Sequence, residues 1–167
     1  MRILFLCSIL AACCLACSTD PTPQEDITKL GLEWDQATMD VTDAVNQVAE
    51  AQETANETAN ALLEAEALAG DQGSEQQNLL ETLQAQSATL AEYSQAAFEF
   101  VNQWQAGAER LDQLKTAAGK GEMPADANAQ ISGIREMIQT GQAKAQEWNN
   151  AAEDALMAVD SARLVLQ

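Results

Sequence analysis

Carboxylates are the residues with which this chain could do chemistry, and over its first long amphipathic stretch they recur at fixed steps. From Pro23 to Ala69 the acids are Glu25, Asp26, Glu33, Asp35, Asp40, Asp43, Glu50, Glu53, Glu57, Glu64 and Glu66, against a single basic residue, Lys29. Asp26, Glu33 and Asp40 follow one another at seven-residue steps, as do Asp43, Glu50, Glu57 and Glu64. On a helix these two lines are neighbours, so together they form an acidic stripe along its length. Like charges stacked in this way destabilise an isolated helix slightly. That cost is small for a solvated stripe, and the stripe becomes useful when a basic protein or a cation lies against it. Metal catalysis is a different matter. Di-metal carboxylate sites in helical bundles need Glu-x-x-His pairs, and the chain has no histidine. Its acids also fall outside the apolar positions, and no phosphate loop or EF-hand spacing occurs. The expectation is no metal, no cofactor, no catalytic residue and no enzymatic activity. The formal net charge of −18, from 8 basic and 26 acidic residues, argues against nucleic acid, which needs a basic face. It argues equally against a helix lying on anionic lipid.

Thiols are the second chemical group, and all four lie near the start, at Cys7, Cys13, Cys14 and Cys17. Cysteines so clustered make no disulfide framework, and a thiol-free body suits an oxidising compartment. Residues 1–17 read MRILFLCSILAACCLAC: one arginine, an apolar run from Ile3 to Ala16, then the polar Ser18-Thr19-Asp20-Pro21. A charged start, an apolar middle and small residues before a cut make a secretory signal. The run is shorter than the ~20 apolar residues of a membrane span. This leader resembles those of bacterial lipoproteins, whose motif is an apolar residue, two small residues and a lipidated cysteine. Leu10-Ala11-Ala12-Cys13 matches the motif but leaves a very short leader. Cys14-Leu15-Ala16-Cys17 fits the spacing better and has alanine just before the cysteine, while departing from the pattern at Leu15 and Cys14. Cys17 is the favoured site and Cys13 the alternative. The resemblance implies a signal peptide over 1–16 and a thioether-linked diacylglycerol with an acylated amine on Cys17. Ser18, where enteric-type bacteria use aspartate for inner-membrane retention, implies the outer membrane. With Arg2 removed, the remaining chain is about one unit more negative.

The elements that position these groups read as helices. After a tether at 17–22, Thr22, Pro23 and Glu25 make a helix start. Apolar or small residues then alternate by three and four: Ile27, Leu30, Trp34, Ala37, Val41, Ala44, Val48, Ala51, Ala55, Thr58, Leu62, Ala65 and Ala69. This is a heptad pattern. A second stripe runs Leu80, Leu83, Ser87, Leu90, Ser94, Ala97, Val101, Trp104, Ala108, Leu111. A third runs Ala127, Ile131, Ile134, Ile138, Gly141, Ala145, Trp148, Ala152, Ala155, Val159, Ala162, Leu166. Gly70 to Gly73 and Gly119 to Gly121 make the turns, and Pro124 is placed to open the last helix. The expected fold is all-α: an elongated, coiled-coil-like, antiparallel three-helix bundle (up-down-up) over 23–167, with helices at about 23–69, 75–118 and 124–166. Steps averaging 3.5 imply left-handed supercoiling.

The tryptophans follow from this register. Trp34 and Trp104 should share a layer, with Gly107 and Gly141 making room for two indoles. Trp148 should sit further along, beside Ala44, Val48, Ser94 and Ala97. The leucines of the far end, Leu62, Leu63, Leu68, Leu79, Leu80, Leu83, Leu156, Leu164 and Leu166, are expected to clasp it with Val159. Leu32, Val45, Phe98 and Phe100 are left as apolar positions through which copies could associate. The functional expectation is a membrane-anchored lipoprotein of the cell envelope, outer membrane in a Gram-negative cell, acting as a non-catalytic interaction or scaffold module. Its partner face would be Asp26, Glu33, Asp40, Asp43, Glu50, Glu57 and Glu64. The alternative is a module binding a lipid or small apolar ligand between helices near Trp34 and Trp104. Intact-mass measurement of membrane-extracted protein should give a chain that begins at Cys17 and carries lipid. A chain beginning at Cys13 would move the anchor there, and one retaining Met1 would remove it.

Overall fold

In the computed structural model, residues 23–69 and 74–166 are described. The leader, the tether and both candidate lipidation cysteines, Cys13 and Cys17, lie outside them. Three helices make up the chain in order: α1 (Pro23–Ala69), α2 (Ser74–Lys120) and α3 (Ala127–Val165). Each packs against the other two, forming an all-α three-helix bundle. Trp104 meets Thr38 while Ser87 meets Asn56, so α2 runs antiparallel to α1. Arg135 meets Asp26 near the start of both α1 and α3, which run parallel. At 1.5 Å per residue the 47-residue α1 is about 70 Å long.

The heptad positions account for the core. On α3 all of Ala127, Ile131, Ile134, Ile138, Gly141, Ala145, Trp148, Ala152, Ala155, Val159 and Ala162 are buried. On α1 the buried line runs from Ile27 through Leu30, Trp34, Ala37, Val41, Ala44, Val48, Ala51 and Ala55 to Leu62, with Thr58 the buried polar member. Helix α2 departs from the expected stripe at Ala97. Phe100, not Val101, is the next buried residue, followed by Trp104, Gly107, Leu111 and Leu114. The line Leu83, Leu90, Ala97, Trp104 and Leu111 keeps seven-residue steps throughout, and the second line runs from the half-buried Tyr93 to Phe100, Gly107 and Leu114, one position before Ser94, Val101 and Ala108. Phe100 is therefore 4% exposed and unavailable for association between copies. Leu32 and Phe98 remain exposed and Val45 is half-buried.

One layer holds the largest side chains. The Trp34 and Trp104 rings stack at 4.1 Å between centroids and 23° between planes. Phe100 leans on Trp104 at 5.4 Å and meets Trp148 edge-on at 6.1 Å, so four aromatic rings run through the core without a break. A Cβ on Gly141 would lie 2.5 Å from Trp104 Cζ3, and one on Gly107 would collide with Trp34 Cη2 and Met137 Sδ. Both glycines are thus the space the indoles occupy. Trp104 Nε1 donates to Thr38 Oγ1 at 2.9 Å, and that hydroxyl donates to the Trp34 carbonyl at 2.8 Å. A single threonine satisfies the buried indole donor and ties it to the partner tryptophan.

The far end differs from the leucine clasp expected of it. Leu62, Leu83 and Val159 are buried, in a small cluster separate from the main core. Leu63, Leu68, Leu156 and Leu164 are exposed, Leu68 at 89%. They stand off the heptad lines, and α3, with 39 residues, ends about two helical turns before α1 does. The α2–α3 turn also differs in detail. Helix α2 continues through Gly119 to Lys120, and Gly121 adopts φ 70°. Glu122 N–H donates to the Ala117 carbonyl at 2.9 Å and Gly121 N–H to that of Ala118 at 3.1 Å, the paired bonds of a Schellman cap. Helix α3 begins at Ala127, three residues after Pro124, because the Pro124 carbonyl is taken by Ala127 N–H in a turn at 3.1 Å.

The glycines give a paired prediction. Gly141→Ala overpacks the tryptophan layer, costing about 1–3 kcal/mol before the gain in helix propensity. Gly133, exposed with nothing within 4 Å of an added Cβ, should gain about 0.5–1 kcal/mol as alanine. Urea unfolding of the two variants should therefore move the midpoint in opposite directions.

Candidate interaction surfaces

Heptad geometry divides the acids that the sequence places in one stripe. Asp26, Glu33 and Asp40 flank the core line on the side of α1 that meets α3, and all three are half-buried. Arg135 donates to Asp26 at 3.0 Å, Lys29 lies 3.6 Å from Glu33, and Gln36 donates to Asp40 at 2.8 Å. The inner line is therefore engaged within the chain, although the exposed Lys29–Glu33 pair contributes little. Asp43, Glu50, Glu57 and Glu64, one position further out, are exposed. No ion pair reaches them; the two found among the described residues are those of Asp26 and Glu33. The outer line is the free half of the stripe. Asp40 and Asp43 border a polar cleft with Gln142, Asn149 and Glu153 from α3. Asn149 Oδ1 is buried there without a hydrogen-bond partner. Among the described residues no three His, Cys, Asp or Glu side chains come together in a way that could hold a metal ion.

The tryptophans are placed in the core. Trp34 and Trp104 stack against each other in the core, while Trp148 is buried one layer along. The opening lies near Trp148. An apolar groove of about 290 Å³ runs along the α1–α2 seam, lined by Val45, Val48, Ala97, Phe98, Val101 and Trp148, with Tyr93, Ser94 and Ala49 completing it. The groove thus lies by Trp148, whereas the sequence places a ligand cleft near Trp34 and Trp104. The signal for the groove was present all the same, in a second line on α2 formed by Ser87, Ser94, Val101, Ala108 and Lys115. Ser87 donates to Asn56 at 2.6 Å, Ser94 donates to Gln52 at 3.2 Å, and Lys115 lies where a Gly31 Cβ would point. Val101 and Ala108 are short, apolar and unable to bridge to α1, and the groove opens at Val101.

On the α2–α3 side, Lys144 Nζ sits 5.6 Å from the Phe100 ring centroid and 5.8 Å from that of Trp148, within cation–π range. No helix among the described residues is long and apolar enough to cross a membrane. No family model, curated protein or solved structure matches the chain.

Among the described residues, Tyr93 sits in an environment that perturbs its titration. Burial raises its pKa above the ordinary value near 10, and the adjacent Glu147 carboxylate, by its charge and by accepting the phenol hydrogen bond, raises it further, as does Glu92. A raised phenol holds its proton longer in the folded state. Its contribution to stability is therefore complete at neutral pH and lost as pH climbs past the folded value. Because Tyr93 is the single tyrosine, tyrosinate absorbance should report it directly, with a midpoint above that of a free phenol. Glu147→Gln should lower that midpoint only part of the way, since burial is the larger cause.

Proposed function

We propose that this chain is a lipid-anchored module of the bacterial cell envelope that works by protein contact and has no catalytic centre. The observation that carries the reading is the outer acidic line of α1. Asp43, Glu50, Glu57 and Glu64 stay exposed and unpaired over about 32 Å of helix at 1.5 Å per residue. A regular array of like charges on one rigid helix is a template for a basic protein surface. It steers association at low salt and weakens as salt screens it. The rod positions the array, and the lipid on Cys17 would hold the rod at the membrane, in the outer membrane if the cell is Gram-negative.

The test is a crosslinking pull-down from whole cells, wild type against a variant carrying Asp43→Asn, Glu50→Gln, Glu57→Gln and Glu64→Gln. The expected result is one specific envelope protein captured by wild type and lost from the variant. Capture that is unchanged, or absent from both, would reduce the outer line to a solvated face and overturn the reading.

A further inference from the structure

The α1–α2 seam is clasped on either side of Val45 and open at Val45 itself. On one side Trp104 Nε1 donates to Thr38 Oγ1 at 2.9 Å; on the other Ser94 Oγ donates to Gln52 Oε1 at 3.2 Å. Between the clasps the side chains facing each other are Val45 and Val101, and the space they leave is the groove of about 290 Å³. Its floor is Val48, Ala97 and Trp148, and Phe98, 69% exposed, stands at its rim. Small-molecule sites begin near 300 Å³ and are mostly apolar with a few polar groups. Here the polar groups on the lining side chains are the Ser94 and Tyr93 hydroxyls.

Charge and length select the occupant. No carboxylate, ammonium or guanidinium lines the groove, on a chain of net charge −18. An anion, such as a fatty-acid carboxylate, would be repelled by the surrounding field, and a cation would find no carboxylate on the wall, Glu147 being engaged by the Tyr93 phenol outside the lining. A second copy would bring the same excess of negative charge. On α2 the lining runs for about two helical turns, Tyr93 to Val101, but on α1 for only about one, Val45 to Ala49. The α1 wall is thus shorter than the i to i+7 anchor run of a helix laid in a groove. We infer that the groove is a binding site for a small, uncharged, ring-bearing apolar molecule, seated among Tyr93, Phe98 and Trp148 with one hydroxyl of the wall as its polar contact. This site lies on the α2 side of α1, away from the outer acidic line, and does not depend on the partner reading.

The test titrates the intact chain with N-phenyl-1-naphthylamine, a neutral fluorescent probe, and with its anionic relative 8-anilinonaphthalene-1-sulfonate, with sedimentation velocity in parallel. The neutral probe should bind saturably at one per chain and the anion about tenfold or more weaker. Val101→Trp, which fills the groove from α2, and Ala49→Trp, which covers it from α1, should each weaken the neutral probe about tenfold with helix content unchanged. Leu32→Trp, on another line of α1, should leave it unchanged. Unsaturable binding, equal affinity for the anion, or full binding by both folded tryptophan variants would overturn the proposal. So would a dimer in sedimentation that Phe98→Glu dissociates, since a second copy would then be what covers the groove.

Discussion

Two indoles sharing one layer set how closely the three helices can approach. Helices pack with axes about 8–10 Å apart, too close for two stacked tryptophans unless the facing helices give way. They give way at Gly107 and Gly141, whose missing side chains are the volume the rings fill. The Thr38 hydroxyl then removes the remaining cost, satisfying the indole N–H that burial would otherwise orphan. Away from this layer the stripe is largely alanine: Ala37, Ala44, Ala51 and Ala55 on α1, Ala145, Ala152, Ala155 and Ala162 on α3. Small residues let these parallel helices run close along their length, and α1–α3 is the most extensive contact in the bundle. The aromatic chain from Trp34 to Trp148 supplies the bulk that alanine lacks.

Most of this architecture can be read from residue spacing, because burial of one face at steps of three and four leaves few other arrangements. Helix α3 is the clearest instance: every residue of its stripe from Ala127 to Ala162 is buried. The reading failed where spacing had two apolar answers. At Ala97 on α2 both Phe100 and Val101 continue an acceptable step, and only the position of Trp148 across the core decides for phenylalanine. It failed again at the far end, where a leucine-rich stretch does not say which leucines face inward: Leu62 and Leu83 do, while Leu156 and Leu164 stand off the heptad lines. Leu63, next to the buried Leu62, and Leu68 are likewise off the lines and exposed. Pro124 misled for a local reason: its carbonyl caps a turn before the helical ladder starts at Asp126.

The candidate surfaces were legible to a different degree. The acidic residues are plain in the sequence, but neighbouring lines on a helix are equivalent until a partner helix is placed beside one of them. Arg135, 109 positions from Asp26, is what turns the inner line into a seam and leaves the outer one to solvent. The apolar groove is harder still, since it arises from a mismatch between two correct heptads: one pair of valines in a row of hydrogen-bonded pairs. The α2 line through Ser94, Val101 and Ala108 shows where such a gap can open, and only the placement of Val45 opposite it shows where it does.

The division of the interior into two unequal clusters bears on how the rod yields. The main cluster holds every tryptophan and reaches from Ile27 and Ala127 to Ala51, Leu90 and Ala155; the second is confined to Ala55, Ala59, Leu62, Leu83, Val159 and Ala162. The polar pairs Gln52–Ser94 and Asn56–Ser87 straddle the boundary. Opening the far cluster exposes fewer buried side chains, all but Leu62, Leu83 and Val159 of them alanines, and breaks no aromatic contact, so it is the cheaper excursion. Fraying therefore has a direction. The rod loosens from the α1–α2 turn inward, and the end at which the chain enters at Pro23 is the last to let go.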